Sequence, residues 1–171
     1  MTIIKQFFSK IFDRLFPKLQ EGDIVHYRGH KQRVLGSWSE LYFGANYDMG
    51  QTQFILLSGH GQLPVTMDNR LLIRKLGHEP VPTFEIGDQV KLKELDSHEW
   101  YWNGLGVRTS FPNKRLSDLL KQVGTVVEID PYYLFADSRK RPIIRVRFDN
   151  DGYEIALYPS LLNKVPDYDI I

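Results

Sequence analysis

The sequence contains no cysteine. Its absence excludes disulfide bonds, thiolate nucleophiles, and zinc or iron–sulfur sites that depend on cysteine ligands. There is also no phosphate-binding loop, and Gly104 and Gly106 supply only two glycines of a dinucleotide-binding pattern. These absences leave few routes to catalysis, so we expect a protein that is not an enzyme and that uses no metal or cofactor.

Long apolar runs are missing as well. No stretch approaches the roughly 18–20 apolar residues that a transmembrane helix requires. Charged residues interrupt the apolar N-terminal stretch every few positions, which is not typical of a secretory signal. We therefore expect a cytoplasmic protein, held at most peripherally at a membrane.

The charge of the chain is small but uneven. The 171 residues carry a formal net charge of +1, from 22 basic and 21 acidic residues. The first twenty residues hold Lys5, Lys10, Arg14 and Lys18 against Asp13, so this segment carries +3 and the rest of the chain −2. A protein that coats nucleic acid over its whole surface would carry a broader basic excess.

The N-terminal segment predicts an amphipathic helix over residues 2–16. Large apolar residues recur in pairs every four positions, near the helical period of 3.6. Pro17 ends the pattern because the residue before a proline disfavours the helical conformation. The face predicted to dock consists of Ile4, Phe7, Phe8, Ile11, Phe12 and Leu15.

Three kinds of surface could receive this face. It could pack on the protein's own sheet, as the apolar stripe of a globular helix usually does. It could lie on a membrane surface through residues 2–16, because basic residues beside a Phe- and Ile-rich face suit anionic head groups. It could also bind a partner protein or a second copy of the chain. The apolar residues are many for one helix on a small domain, so all three alternatives stay open.

The rest of the chain contains the same pattern of predicted strands and turns twice. Gly22–Val25 and Gly87–Val90 both have the form Gly-Asp-x-Val and enter an alternating strand. Each half then ends with a strand, a glycine-containing turn, a second strand and a short apolar finish. This last apolar segment ends at Lys75 in the first half and at Lys164 in the second.

The second half resembles the SH3-like small-barrel superfamily, in particular its KOW-type and related members. The matching segments are Gly87–Val90, Gly124–Ile129, Ile143–Phe148, Tyr153–Ile155 and Leu161–Leu162. The first half resembles a more divergent copy. The resemblance implies a mainly β protein, in which an N-terminal amphipathic helix precedes two barrels of about five strands each, and it implies nothing about chemistry.

Four segments follow from this organisation. Residues 1–20 form the helix, 21–78 the first barrel, 79–83 a proline-containing linker, and 84–171 the second barrel. The second barrel would carry a long insertion before Gly124 that contains a short helix. Long ordered insertions in small domains are more often functional than decorative.

Aromatic residues in and near this insertion provide the main binding-site prediction. Trp100 and Trp102 would lie on the same side of a strand, and SH3-like barrels commonly recognise peptides through aromatic grooves near their long loops. The predicted partner-binding residues are Trp100, Trp102, Phe111, Tyr132 and Tyr133. A protein partner is the leading prediction, with the N-terminal helix as a second contact surface, although half of these aromatics could belong to the core.

A basic strand predicts the alternative, contact with RNA or a nucleoprotein. The cations are Arg139, Lys140, Arg141, Arg145 and Arg147. Such a stripe could bind phosphates while nearby aromatic residues stack on bases. Acidic residues surround the stripe, however, and alternating arginines on an exposed strand also discourage edge-to-edge pairing.

Two clusters of reactive residue types are more simply explained without chemistry. Ser58 and His60 lie in a glycine-rich turn, and no third member of a catalytic set can be named. Asp96, His98 and Glu99 could hold a divalent cation weakly, but a solvated acidic loop is the simpler interpretation. No catalytic residue and no metal ligand is therefore predicted.

Overall fold

The computed structural model describes residues 2–43, 49–94, 116–134, 140–148, 150 and 152–166. Within these residues the chain is mainly β, with two five-stranded antiparallel sheets and a few short helices. This confirms the mainly β class predicted from the sequence. The N-terminal helix, α1, runs over Thr2–Leu15 and ends just before Pro17.

In the first sheet, four strands form a meander and the last strand pairs with the first. Its elements are β1 (Asp23–Tyr27), β2 (His30–Phe43), β3 (Met49–Leu57), β4 (Gly61–Pro64), the short helix α2 (Met67–Leu72) and β5 (Arg74–His78). The strand order is β4-β3-β2-β1-β5. Four consecutive strands thus pair as neighbours, and the fifth returns to pair with the first.

The second sheet has the same connectivity. Its elements are β6 (Gln89–Leu92), the short helix α3 (Leu116–Leu120), β7 (Gly124–Leu134), β8 (Lys140–Phe148), β9 (Tyr153–Leu157), a 3₁₀ helix (Pro159–Leu161) and β10 (Leu162–Lys164). The strand order is β10-β6-β7-β8-β9. In both sheets a short helical turn immediately precedes the strand that returns to the first one.

The Gly-Asp pair of the first half builds a tight corner before β1. Gly22 has a φ of +88°, a conformation that side chains rarely adopt, and a Cβ there would lie 2.3 Å from the Glu79 carbonyl oxygen. The Asp23 N–H donates to the Gln20 carbonyl at 3.0 Å, and the Gln20 N–H donates to Asp23 Oδ2 at 3.0 Å. We call this arrangement the Gly-Asp corner; it explains why glycine and aspartate occur together.

The second half repeats the corner before β6. Gly87 has a φ of +98°, and the Asp88 carboxylate accepts a hydrogen bond from the Glu85 N–H at 2.7 Å. In each half, a lysine near the end of the half forms an ion pair with the aspartate of the corner. Lys75 contacts Asp23 at 2.8 Å, and Lys164 contacts Asp88 at 2.7 Å.

Each sheet has its own apolar core. The first core consists of Leu19, Val25, Tyr27, Val34, Ile55, Leu57, Leu63 and Ile73. The second consists of Phe84, Val90, Leu92, Leu119, Val126, Ile144, Val146, Phe148, Ile155, Leu157 and Leu162. Leu119 comes from α3, so the predicted short helix contributes its apolar side to the second core.

A third group of buried residues joins the two sheets. This junction cluster consists of Leu35, Leu56, Ile143, Tyr158 and Leu161. Its first two members belong to the first sheet, and the others belong to β8 and to the turn around the 3₁₀ helix. The two sheets therefore share buried apolar surface.

Candidate binding surfaces

The apolar face of α1 is exposed. Ile3 exposes 81% of its surface, and the other members expose between 38% and 67%. We define the α1 face as Ile3, Ile4, Phe7, Phe8, Ile11 and Leu15. It differs from the predicted docking face in that Ile3 is added and Phe12, which is half-buried, is left out. These six side chains are exposed and are not packed on the protein's own sheet.

The C-terminal end of α1 is attached to the body through aromatic and arginine contacts. The rings of Phe12 and Phe16 lie 4.9 Å apart, and the guanidinium of Arg70 lies 5.1 Å from the centre of the Phe16 ring. Arg70 is buried and donates to the carbonyls of Ile73 at 2.8 Å and of Pro17 at 3.3 Å. Arg70 thus holds the chain just after α1 against α2.

The segment after Pro17 continues this attachment. Leu19 is buried in the first core, and its carbonyl accepts hydrogen bonds from the Ser37 hydroxyl at 2.9 Å and from the Gln53 amide. The chain is therefore fixed at the end of α1, while the α1 face remains exposed to solvent.

Basic residues border the α1 face. Successive residues of a helix are rotated by about 100°, so the face spans about 140° and positions 10 and 14 fall at one border of it. Lys10 and Arg14 are exposed, as is Lys18 beyond the end of the helix. This border of the face is therefore positively charged.

A second set of exposed apolar residues lies on α2. Met67, Leu71 and Leu72 expose 60%, 60% and 63% of their surface. Thr66 caps α2 by accepting from the Asn69 N–H at 3.3 Å. Arg70 of the same helix contacts Phe16 and the Pro17 carbonyl, so α2 lies next to the chain that follows α1. The sequence pattern of the three exposed apolar residues did not distinguish them from core residues.

A cleft of about 780 Å³ is lined by residues of β6 and β10 together with Arg33 and Glu79. Its charged lining residues are Arg33, Lys91, Lys93, Lys164, Glu79 and Glu94. Arg33 of β2 and Lys93, the residue after β6, both pair with Glu79 Oε2. Burial would raise the pKa of Glu79, but the hydrogen bonds from Lys93 and Arg33 outweigh it and lower the pKa. Lys164 pairs with Asp88, so Arg33, Lys93 and Lys164 each have a carboxylate partner.

The basic strand is also neutralised in part. Arg145 and Arg147 are exposed and alternate with buried apolar residues along β8, as predicted. Arg145 pairs with Glu128 of β7 at 3.0 Å, and Arg147 pairs with Glu154 of β9 at 2.9 Å. These carboxylates disfavour phosphate binding at the two arginines. Lys140 and Arg141 begin β8, whereas Arg139 lies outside the described residues.

The aromatic surface falls largely outside the described residues, which do not include Trp100, Trp102 and Phe111. Tyr132 and Tyr133 lie on β7, where Tyr133 is in register with Arg141 of β8. A peptide groove formed by these aromatics therefore stays a prediction.

The serine and histidine of the first glycine-rich turn have structural contacts. The Ser58 hydroxyl is buried and accepts from the Arg33 N–H at 2.9 Å. The His60 ring packs edge-on against Tyr27, with ring centres 5.3 Å apart. Asp96, His98 and Glu99 lie outside the described residues. Where the structure describes the chain, no three histidine or acidic side chains are grouped as a metal site requires.

Known proteins do not assign this chain to a family. No protein-family model and no curated protein matches the chain. A crystal structure of the SHH1 SAWADEE domain in complex with an H3K9me3 peptide is similar at 12% sequence identity, over 87% of this chain and 100% of that chain. The TM-score of 0.29 is too low to establish a shared fold. Among the helices that the structure describes, none has the length and apolar character needed to cross a membrane.

Proposed function

We propose that this chain is a non-enzymatic binding module that attaches to another component of the cytoplasm through the α1 face. The observation that carries the proposal is the exposure of six large apolar side chains on a helix whose end is fixed to the body. Exposed apolar patches of this kind mark protein or membrane interaction sites. Ile, Phe and Leu side chains bind by burial and offer no acid–base or nucleophilic group.

The body, in this proposal, consists of two small barrels of the SH3-like kind, over residues 21–78 and 84–171 with a linker at 79–83. The strand orders support it, because in each half a four-stranded meander is followed by a fifth strand that pairs with the first. The helical turn before the returning strand occurs in both halves. The barrels would serve as the rigid base that presents α1.

Replacing Phe7 and Phe8 by serine tests the proposal. We call this double substitution, Phe7→Ser with Phe8→Ser, the face variant. Phenylalanine and serine have similar intrinsic helix propensities, and both rings are mostly exposed, so the thermal midpoint should change little. When a cell lysate is fractionated, the parent protein should be found in a larger soluble complex or in the membrane pellet. The face variant should be found as the free, soluble chain.

Ile86→Ser is the matched control, since Ile86 is also an exposed apolar residue but lies far along the chain, before β6. It should distribute like the parent. If the face variant also distributed like the parent, or if it lost much of its thermal stability, the α1 face would not be a docking surface. A soluble complex would indicate a protein partner, and the membrane pellet a lipid surface.

A further inference from the structure

We infer that the α1 face binds an anionic lipid surface. This inference rests on the proposed function and names the occupant of the same face. In the bound state α1 would lie in the plane of the interface, with its apolar side chains at the boundary of the acyl chains and its basic residues among the head groups.

Charge complementarity is the first argument for this occupant. Lys10, Arg14 and Lys18 are exposed around the face, and the first twenty residues carry +3 while the rest of the chain carries −2. Anionic lipids attract basic residues close to the membrane surface, and this attraction decays within a Debye length. The charge asymmetry therefore favours an approach to an anionic surface with α1 leading.

The position of the cations is the second argument. Lys10 and Arg14 are one turn apart at the border of the apolar face, so their ammonium and guanidinium groups can reach head-group phosphates while the α1 face enters the apolar layer. Long basic side chains adopt this arrangement readily, because their methylene stems remain in apolar surroundings.

The breadth of the apolar surface is the third argument. The α1 face spans about 140° of rotation, and all six of its side chains are exposed. A helix lying in the plane of a lipid surface can bury such a broad face at the boundary of the acyl chains.

Sedimentation of the purified full chain with vesicles tests the inference. Vesicles of phosphatidylcholine alone are compared with vesicles of phosphatidylcholine and phosphatidylserine, at low and at high salt. We expect binding to the phosphatidylserine vesicles that weakens as salt rises, and at least about tenfold weaker binding to phosphatidylcholine alone. Absence of binding, or equal binding to both compositions, would overturn the inference.

Two variants assign the binding to the face and to its border. The face variant should lose binding to the phosphatidylserine vesicles, and Lys10→Gln with Arg14→Gln should weaken it and flatten its salt dependence. Ile86→Ser and Lys91→Gln, which change an exposed apolar residue and an exposed cation elsewhere, should bind like the parent. Equal binding by the face variant and the parent would overturn the assignment to α1.

The vesicle and lysate experiments fail in different ways. Suppose that the parent does not bind vesicles, and that in the lysate the parent is part of a soluble complex from which the face variant is absent. The inference of a lipid surface is then wrong, and docking through α1 stands with a protein partner. If the face variant behaves like the parent in both experiments, docking through α1 is wrong as well.

Discussion

At the scale of single residues, Asp23 shows how the Gly-Asp corner depends on charge. Its carboxylate is fully buried, and burial alone would raise its pKa. Hydrogen bonds from Lys75, the Gln20 N–H and His78, together with the charge of Lys75, outweigh burial and lower the pKa below its usual 3.8. The distances to Lys75 and His78 are 2.8 and 2.9 Å. A lowered pKa means that the ionised form stabilises the folded state.

Asp23→Asn should therefore destabilise the protein in a pH-dependent way. We expect a loss of about 1–3 kcal/mol in the free energy of unfolding at pH 7, because Lys75 and His78 lose their charged partner. The stabilisation is present above the unfolded-state pKa of about 3.9 and disappears as pH falls through the lower folded-state value. The difference between parent and variant should thus narrow below about pH 4.

Urea unfolding of the parent and the variant across this pH range provides the measurement. The pKa values of Glu79 and Asp88 are also lowered, so the parent loses stability in acid at several sites and only the comparison isolates Asp23. Asp118→Asn, which changes an exposed aspartate of α3, should show no such pattern. A difference that stayed constant with pH would mean that the charge of Asp23 is not the source.

At the scale of elements, α1 shows which features a sequence predicts. Its period, its apolar face and its end before Pro17 are local properties, so the helix over residues 2–16 was predicted almost to the residue. The exposure of the face was not, because it depends on how the end of α1 meets α2. That contact rests on Arg70, a single buried cation more than fifty positions from Phe16 and without a distinguishing pattern around it.

Arg70→Gln should loosen the end of α1. Glutamine cannot reach the carbonyls of both Pro17 and Ile73 and cannot stack on Phe16 as a cation, so amide hydrogen exchange over residues 12–18 should become faster. The sheets should keep their protection, and the free energy of unfolding should fall by about 1–3 kcal/mol. Arg74→Gln, at an exposed cation of β5, serves as the control. Equal exchange in both variants would show that Arg70 does not hold α1.

At the scale of the whole molecule, the junction cluster makes the two sheets one unit. Leu35 and Leu56 of the first sheet pack with Tyr158 and Leu161, and Glu79 pairs with Arg33 of β2 and with Lys93, which follows β6. The repeated plan could be predicted because Gly-Asp pairs and alternating strands are visible along the chain. The junction could not, since nothing local matches Leu35 to Tyr158.

Leu35→Ala should weaken the coupling between the sheets, because Leu35 belongs to the junction cluster and to neither separate core. We expect one cooperative calorimetric transition for the parent and two resolved transitions for the variant, with a loss of about 2–5 kcal/mol. Leu63→Ala, which removes a comparable side chain from the first core, should lower stability without separating the halves. Transitions of the same shape in both variants would contradict a coupling role.

The Gly-Asp corners also impose an order on folding. Asp23 contacts His78, which lies 55 positions later in the chain. Asp88 pairs with Lys164, which belongs to the last strand of its half. The local hydrogen bonds of each corner join residues three positions apart, whereas the aspartate–lysine pair requires closure of most of the half, with its larger entropic cost and slower formation. In each half this ion pair therefore cannot form before the last strand has been synthesised, and Asp23, which is buried in the folded protein, stays without Lys75 until then.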